Sequence, residues 1–193
     1  MSKPVLQIII ASTRPGRIGL PVAQWFERAA ISHGGFEVEL VDLAEVKLPF
    51  FNEPNHPRLR QYTHQHTIDW SETVGRADAY VIVTPEYNYS FNAVLKNAID
   101  FLHQEWARKP VGIVSYGGVA AGTRAAQALK PVLLSLQMTP THGAVPIPFV
   151  QQFRQEDGSI EPNDTMSAAA DAMLVELAVL AQALEPLRKQ SVR

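Results

Sequence analysis

Apolar and polar positions along this chain change period repeatedly. Val5-Leu6-Gln7-Ile8-Ile9-Ile10-Ala11 is short, β-branched and apolar on both faces, as a strand buried in a parallel sheet reads. From Gly19 to Ser32 the period lengthens, and Val22, Trp25, Phe26, Ala29 and Ala30 share one helical face. Pro21 suits the first turn of that helix and His33-Gly34-Gly35 suits its end. Phe36 to Leu43 alternates Phe36, Val38 and Leu40 with Glu37 and Glu39, which predicts a strand with one wetter face. A polar stretch over 44–62, with Pro49, Pro54 and Pro57, reads as a surface loop that runs into a helix from about Leu59 to Arg76. Ala79 to Thr84 is apolar enough for a central third strand.

Ser90 then opens a helix whose Phe91, Val94, Leu95, Ala98, Ile99 and Leu102 form one stripe, and Lys109-Pro110 breaks it off. Val111 to Ser115 is a fourth strand, and Ala120 to Gln137 a helix with a small-residue surface. Gly143 to Val150 holds an irregular fifth strand, which Pro146 and Pro148 place at an edge. A polar loop over 151–164 leads to a last helix, Met166 to Leu187, rich in Ala and Leu. The strict alternation of strand and helix predicts an α/β fold. It has five parallel strands, helices on both faces and right-handed crossovers. Two doubly wound strand orders fit, one of them flavodoxin-like. No repeat, low-complexity run or linker divides residues 1–193, so a single domain is expected.

Composition narrows the class. Apolar residues are 46% and charged residues 19% of the 193, which supplies a full core and excludes a disordered chain. With 17 basic and 19 acidic side chains the net charge is -2, so there is no footprint for nucleic acid or an anionic membrane. The acidic excess of an electrostatically steered electron carrier is missing too. The absence of cysteine removes disulfides, thiolate catalysis, zinc ribbons and iron–sulfur clusters, and fits a reducing compartment. The first apolar run is broken by Gln7 and followed by Arg14 and Arg17, unlike a signal peptide. A membrane span needs about 20 apolar residues in a row, and none is read here. A soluble, cytoplasmic protein is expected.

Ligands of open α/β sheets bind at the carboxyl ends of the strands. After the first strand comes Ala11-Ser12-Thr13-Arg14-Pro15-Gly16-Arg17-Ile18-Gly19, with two hydroxyls and two guanidiniums ahead of a helix N-terminus. Free N–H groups, the helix dipole, hydroxyls and arginines suit a phosphate; a capped helix entry with solvated arginines is the plainer alternative. The loop matches neither the triphosphate nor the dinucleotide glycine pattern, so a terminal monophosphate such as that of flavin mononucleotide (FMN) fits best. After the third strand comes Thr84-Pro85-Glu86-Tyr87-Asn88-Tyr89-Ser90, with aromatic walls and an amide suited to a flat ring with polar edges, or simply a packed tyrosine turn. After the fourth comes Ser115-Tyr116-Gly117-Gly118, where adjacent glycines let backbone approach a ligand, or make an ordinary turn.

These residues resemble the NADPH-dependent FMN reductase family of flavodoxin-like quinone, azo-dye and chromate reductases. The specific part is Thr84-Pro85-Glu86-Tyr87-Asn88 with Leu95-Lys96-Asn97-Ala98-Ile99-Asp100, supported by Ser12-x-Arg14 and by Gly117-Gly118 leading to Arg124-Ala125. The resemblance implies strand order 2-1-3-4-5, FMN as cofactor and NADPH or NADH as hydride donor. It also implies a small-molecule electron acceptor and a homodimer or tetramer. Ser12, Thr13, Arg14 and Arg17, with Ile18 and Gly19, would hold the FMN phosphate. Pro85, Glu86, Tyr87, Asn88 and Tyr89 would line the isoalloxazine, and Ser115, Tyr116, Gly117 and Gly118 would close its other edge. The family often has serine where Arg17 stands, and Pro-Gly where Asn92-Ala93 stand.

The chemistry would lie on the flavin, so no side chain is assigned a catalytic role and the expected kinetics are ping-pong. Backbone N–H groups of Gly117 and Gly118 are candidates to stabilise negative charge on the ring. Glu86 is read as structural or at the ring edge. His56, His64 and His66 are read as surface imidazoles, with no metal site. The helices opened by Ser90 and Ala120 are the dimer candidates. A flavodoxin-like electron carrier and a non-redox nucleotide-binding protein remain as alternatives.

Overall fold

Strands apolar on both faces can be stable only between two layers of helices, and this chain builds that sandwich. The computed structural model describes residues 3–190. In chain order the strands are β1 (Val5–Ile10), β2 (Glu37–Asp42), β3 (Ala79–Pro85), β4 (Pro110–Tyr116), β5 (Thr139–Pro140) and β6 (Val145–Ile147). The helices are α1 (Gly19–His33), α2 (Leu43–Val46), α3 (Gln65–Arg76), α4 (Ala93–Asp100), α5 (Thr123–Ser135) and α6 (Asp164–Gln190). Single 3₁₀ turns lie at Pro57–Leu59, Gln104–Trp106 and Val150–Phe153.

All pairings between these strands are parallel, in the order β2-β1-β3-β4-β5, with β6 also on β4. Of the two doubly wound layouts, the flavodoxin-like one is therefore adopted. Alternation along the strands splits the core. Leu6, Ile8, Ile10, Val81 and Val83 pack with α1 and α6, while Ile9, Tyr80 and Ile82 pack with α3, α4 and α5. Gln7, which interrupts the apolar run of β1, is buried, and its Nε2 donates to Thr73 O at 2.7 Å and to Glu39 Oε2 at 2.9 Å. At the base of the sheet one carboxylate serves both ends of the described chain. Asp78 Oδ2 accepts from Val5 N–H at 2.9 Å, and its Oδ1 accepts from Arg188 Nη2 at 3.1 Å.

Several boundaries depart from the periodic pattern for identifiable reasons. The helix after β3 starts at Ala93, not Ser90, because Asn92 caps it: Asn92 Oδ1 accepts from Leu95 N–H at 2.8 Å. It ends at Asp100, well short of Lys109, and Pro110 instead opens β4. α3 starts at Gln65, since residues 57–59 form a separate 3₁₀ turn. The irregular fifth strand is an edge broken in two. β5 pairs with Pro110 and Val111, β6 pairs with Val114 to Tyr116, and the chain between them leaves the ladder. The last helix also corrects the reading that no stretch could span a bilayer. α6 is long and apolar enough by length and composition. Its Met166, Ala170, Met173, Leu174, Leu177 and Ala181 are buried in the core, while Val175 and Val179 are exposed.

Candidate functional site

The strand order brings the carboxyl ends of β1, β3 and β4 side by side, so the three turns singled out above share one rim. The contacts are specific. Tyr116 OH donates to Ser12 Oγ at 3.1 Å, joining the β4 turn to the β1 turn. Glu86 N–H donates to Tyr116 O at 3.1 Å, joining the β3 turn to β4. Burial pushes the Tyr116 phenol up to about 12, so it keeps its proton and remains the donor.

The β1 turn has the chemistry of an anion site. Arg17 N–H donates to Arg14 O at 3.0 Å, and Gly16 has φ 69°, so Arg14-Pro15-Gly16-Arg17 closes with the proline and positive-φ glycine of a type II turn. Ile18, at the N-cap of α1, offers no side-chain cap. The N–H groups of Gly19 and Leu20 have no partner among the described residues, and Pro21 brings none. Thr13 and Arg14 are exposed beside them, and Arg14 has no ion-pair partner among the described residues. Ser12, Ile18 and Gly19 are buried. A Cβ on Gly19 would collide with Ser12 Oγ and Tyr116 OH, so only glycine leaves room for that hydrogen bond.

Arg17 differs from the arrangement expected of it. Its guanidinium is taken up by Asp42, the last residue of β2: Nη1 donates to Oδ1 at 2.7 Å, and Nη2 pairs with Oδ2. Nη1 also donates to Ser12 O at 2.5 Å. No residue of β2 had been singled out from the sequence, because the signal there is one aspartate at the end of a strand.

The β3 turn is a tight hairpin in which Tyr87 and Ser90 exchange both backbone hydrogen bonds, at 2.9 and 3.0 Å. Asn88 and Tyr89, the two central residues, have φ of 48° and 71°. That is the left-handed pairing of a type I′ turn, built without glycine. A tyrosine there costs on the order of 1–3 kcal/mol. Arg124 at the start of α5 supports the turn. Its Nε approaches Glu86 Oε1 at 2.5 Å, its N–H donates to Glu86 Oε2 at 3.2 Å, and its guanidinium lies 3.8 Å over the Tyr89 ring. Glu86 is thus held in an ion pair. Pro85 is buried, whereas Tyr87, Asn88 and Tyr89 are exposed.

At the β4 turn, Ser115 Oγ donates to Ala121 O at 2.9 Å and so braces the turn from beneath. The two glycines part company. Gly117 N–H is used by Ile147 O at 3.3 Å, which removes it as a candidate donor to a ring, while Gly118 N–H has no partner among the described residues. Phe149, half exposed and at φ 44°, donates its N–H to Gly118 O at 3.3 Å, and Val119 is fully on the surface. Neither Phe149 nor Val119 stood out in the sequence. With Tyr87 and Tyr89 they are large apolar side chains left exposed on the turns at this rim. Hollows of about 550 and 610 Å³ lie elsewhere, at the base of the sheet and beside α4 and α5. Among the described residues no group of acidic, histidine or cysteine side chains could hold a metal.

Unpaired N–H groups at a helix start, exposed hydroxyl and arginine, and exposed aromatic side chains on the neighbouring turn with one free backbone donor nearby fit a phosphate-tailed planar cofactor. Comparison with known proteins agrees. An NAD(P)H-dependent FMN reductase of Schizosaccharomyces pombe is 38% identical over 149 residues, covering 75% of this chain and 74% of its own. One from Saccharomyces cerevisiae is 34% identical, covering 73% and 80%. Among solved structures, the flavoenzyme NAD(P)H:acceptor oxidoreductase FerB of Paracoccus denitrificans superposes with a TM-score of 0.72 at 19% identity, over 93% of this chain and 98% of that one. The profile of the NADPH-dependent FMN reductases matches residues 5–152, and the chain belongs to that family.

Proposed function

We propose that the rim formed by the turns after β1, β3 and β4 holds FMN, and that NAD(P)H and then an electron acceptor use the same open shelf in succession. Family membership makes the chain an FMN-dependent NAD(P)H oxidoreductase. FMN, when bound, supplies the hydride-accepting N5 that links a two-electron donor to the acceptor. The protein's share is binding, orientation and electrostatics. Thr13, Arg14, Ser12 and the first N–H groups of α1 hold the phosphate. Pro85, Glu86, Tyr87, Asn88 and Tyr89 border the ring, with Glu86 acting through Arg124. Tyr116 keeps Ser12 in place, and Gly118 N–H is the donor available to the ring's polar edge.

One observation carries the reading: the Tyr116–Ser12 and Glu86–Tyr116 hydrogen bonds tie a free helix N-terminus and an aromatic turn into a single site. The visible spectrum of the purified protein tests it. A flavin spectrum that bleaches on NADPH under nitrogen is expected; a colourless protein that takes up no added FMN would overturn it. Quinones, azo compounds and free flavins all suit a shelf open to solvent, and relatives include an NAD(P)H:quinone oxidoreductase of Solanum tuberosum, 33% identical over 111 residues. NADPH oxidation driven by a quinone separates this function from that of an electron carrier. Ping-pong turnover follows from one shelf used twice, and predicts parallel lines in two-substrate initial-rate plots; intersecting lines would exclude it.

The functional unit is a homodimer in the cytoplasm. Exposed Phe51, which lines the groove along α4 and α5, and the exposed chain neighbours of its lining, Phe50 and Leu134, support a subunit contact there. The absence of cysteine suits a reducing compartment.

A further inference from the structure

We infer that Arg17 does not contact the FMN phosphate but positions the loop that does, through its ion pair with Asp42. The inference rests on the reading of the rim as an FMN site and adds a second tier beneath it. Both terminal nitrogens of Arg17 are committed, to the two oxygens of Asp42 and to Ser12 O. The pair is largely enclosed, with side-chain exposures of 16% for Arg17 and 10% for Asp42. Parting two charges in such a place leaves each poorly solvated, so the guanidinium is not free to swing to a ligand.

The anchor itself is fixed. Asp42 stands opposite Ile10 in the sheet register, and its Oδ1 also accepts from Ala44 N–H at 2.9 Å as the N-cap of α2. Arg17 therefore connects a rigid strand end to the carbonyl of Ser12, whose hydroxyl accepts the hydrogen bond from Tyr116 OH. The turn over Arg14 to Arg17 completes the frame. It returns Arg17 to the sheet and leaves Arg14 exposed, with no ion-pair partner among the described residues. The consequence is a division of labour. Arg14 supplies the charge for the phosphate, Asp42 neutralises Arg17, and the Arg17–Asp42 pair sets the shape of the cradle.

The test is binding of FMN, and of riboflavin as a fold control without phosphate, to the apoprotein, read by flavin fluorescence. Asp42→Asn removes the charge while leaving an oxygen for the Ala44 N–H. Asp42→Asn and Arg17→Ala should each weaken FMN on the order of tenfold, as outer partners that orient a ligating group do. The double variant should be no worse than either single one, and riboflavin affinity should hold. Amide exchange over residues 12–19 of the apoprotein should quicken in both variants. Tighter or unchanged FMN binding by Asp42→Asn would mean that a released Arg17 reaches the phosphate, and would overturn the inference; so would additive losses in the double variant. Failure of the site reading itself looks different: there Arg14→Ala has no effect because wild-type apoprotein takes up no FMN, and the inference falls with it.

Discussion

At the scale of single residues, the hydroxyl of Tyr116 is the joint between two of the three turns. Tyr116→Phe keeps the ring and loses the bond to Ser12. The expected cost is about 1 kcal/mol, or roughly fivefold in the FMN dissociation constant, measurable by fluorescence titration. Gly19→Ala should do more, since its methyl group displaces both partners of that bond. Residue types at this rim were legible in the sequence because hydroxyls, arginines and tyrosines after strands are unusual. What Arg17 binds was not legible. Its partner lies 25 residues away on another strand, and a guanidinium flanked by a possible ligand and a real carboxylate is assigned only by three-dimensional proximity. The same holds for Gly117 and Gly118, which are equivalent in sequence until the pairing of β4 with β6 consumes one N–H and spares the other.

Among the elements, α4 shows what periodicity can and cannot reveal. The stripe of Leu95, Ala98 and Ile99 is buried as the spacing predicts. The start was misplaced by three residues, because an apolar stripe does not register that the turn over Tyr87 to Ser90 must close first and that Asn92 is the cap. Asn92→Ala should cost about 1 kcal/mol and lower the melting temperature by roughly 2–4 °C in calorimetry. Asn92→Asp keeps the cap acceptor but puts an unpartnered carboxylate oxygen where the buried, unpartnered Nδ2 stands, so it should recover only part of the stability lost in Asn92→Ala. The Asn92-Ala93 departure from the family's common Pro-Gly thus has a local physical role: a side-chain cap does the work of starting the helix.

For the whole molecule, alternation of strand and helix was enough for the class of fold, while the strand order came only with the family resemblance and is seen in the sheet itself. Local pattern is indifferent to which crossover goes left or right of β1, so two layouts survive it. The long loop after α2 carries a stability switch that no motif announced. Burial works to raise the Glu53 carboxyl, but the nearby Thr67 hydroxyl and the hydrogen bonds from Thr63 N–H, Thr63 Oγ1 and His64 N–H outweigh it and bring it from 4.5 to about 2. A folded value below the unfolded one contributes stability in full above about pH 4.5, and that contribution drains away as the pH falls towards 2. Glu53→Gln should therefore flatten the acid limb of a plot of unfolding free energy against pH, measured by urea denaturation. At the level of assembly, sedimentation at micromolar concentration is expected to give a dimer, and a monomer would remove the proposed contact along α4 and α5.

Asp78 bonds Val5 at one end and Arg188 at the other, at the base of the sheet and a full strand length from the rim. Val5 and Arg188 are therefore gathered at a single point remote from the proposed cofactor rim. A circular permutant in which a short glycine-serine bridge joins the segments at Val5 and Arg188, with the chain opened elsewhere, should retain its cofactor. The same corner is where a surface tether or a fused partner would leave the shelf clear.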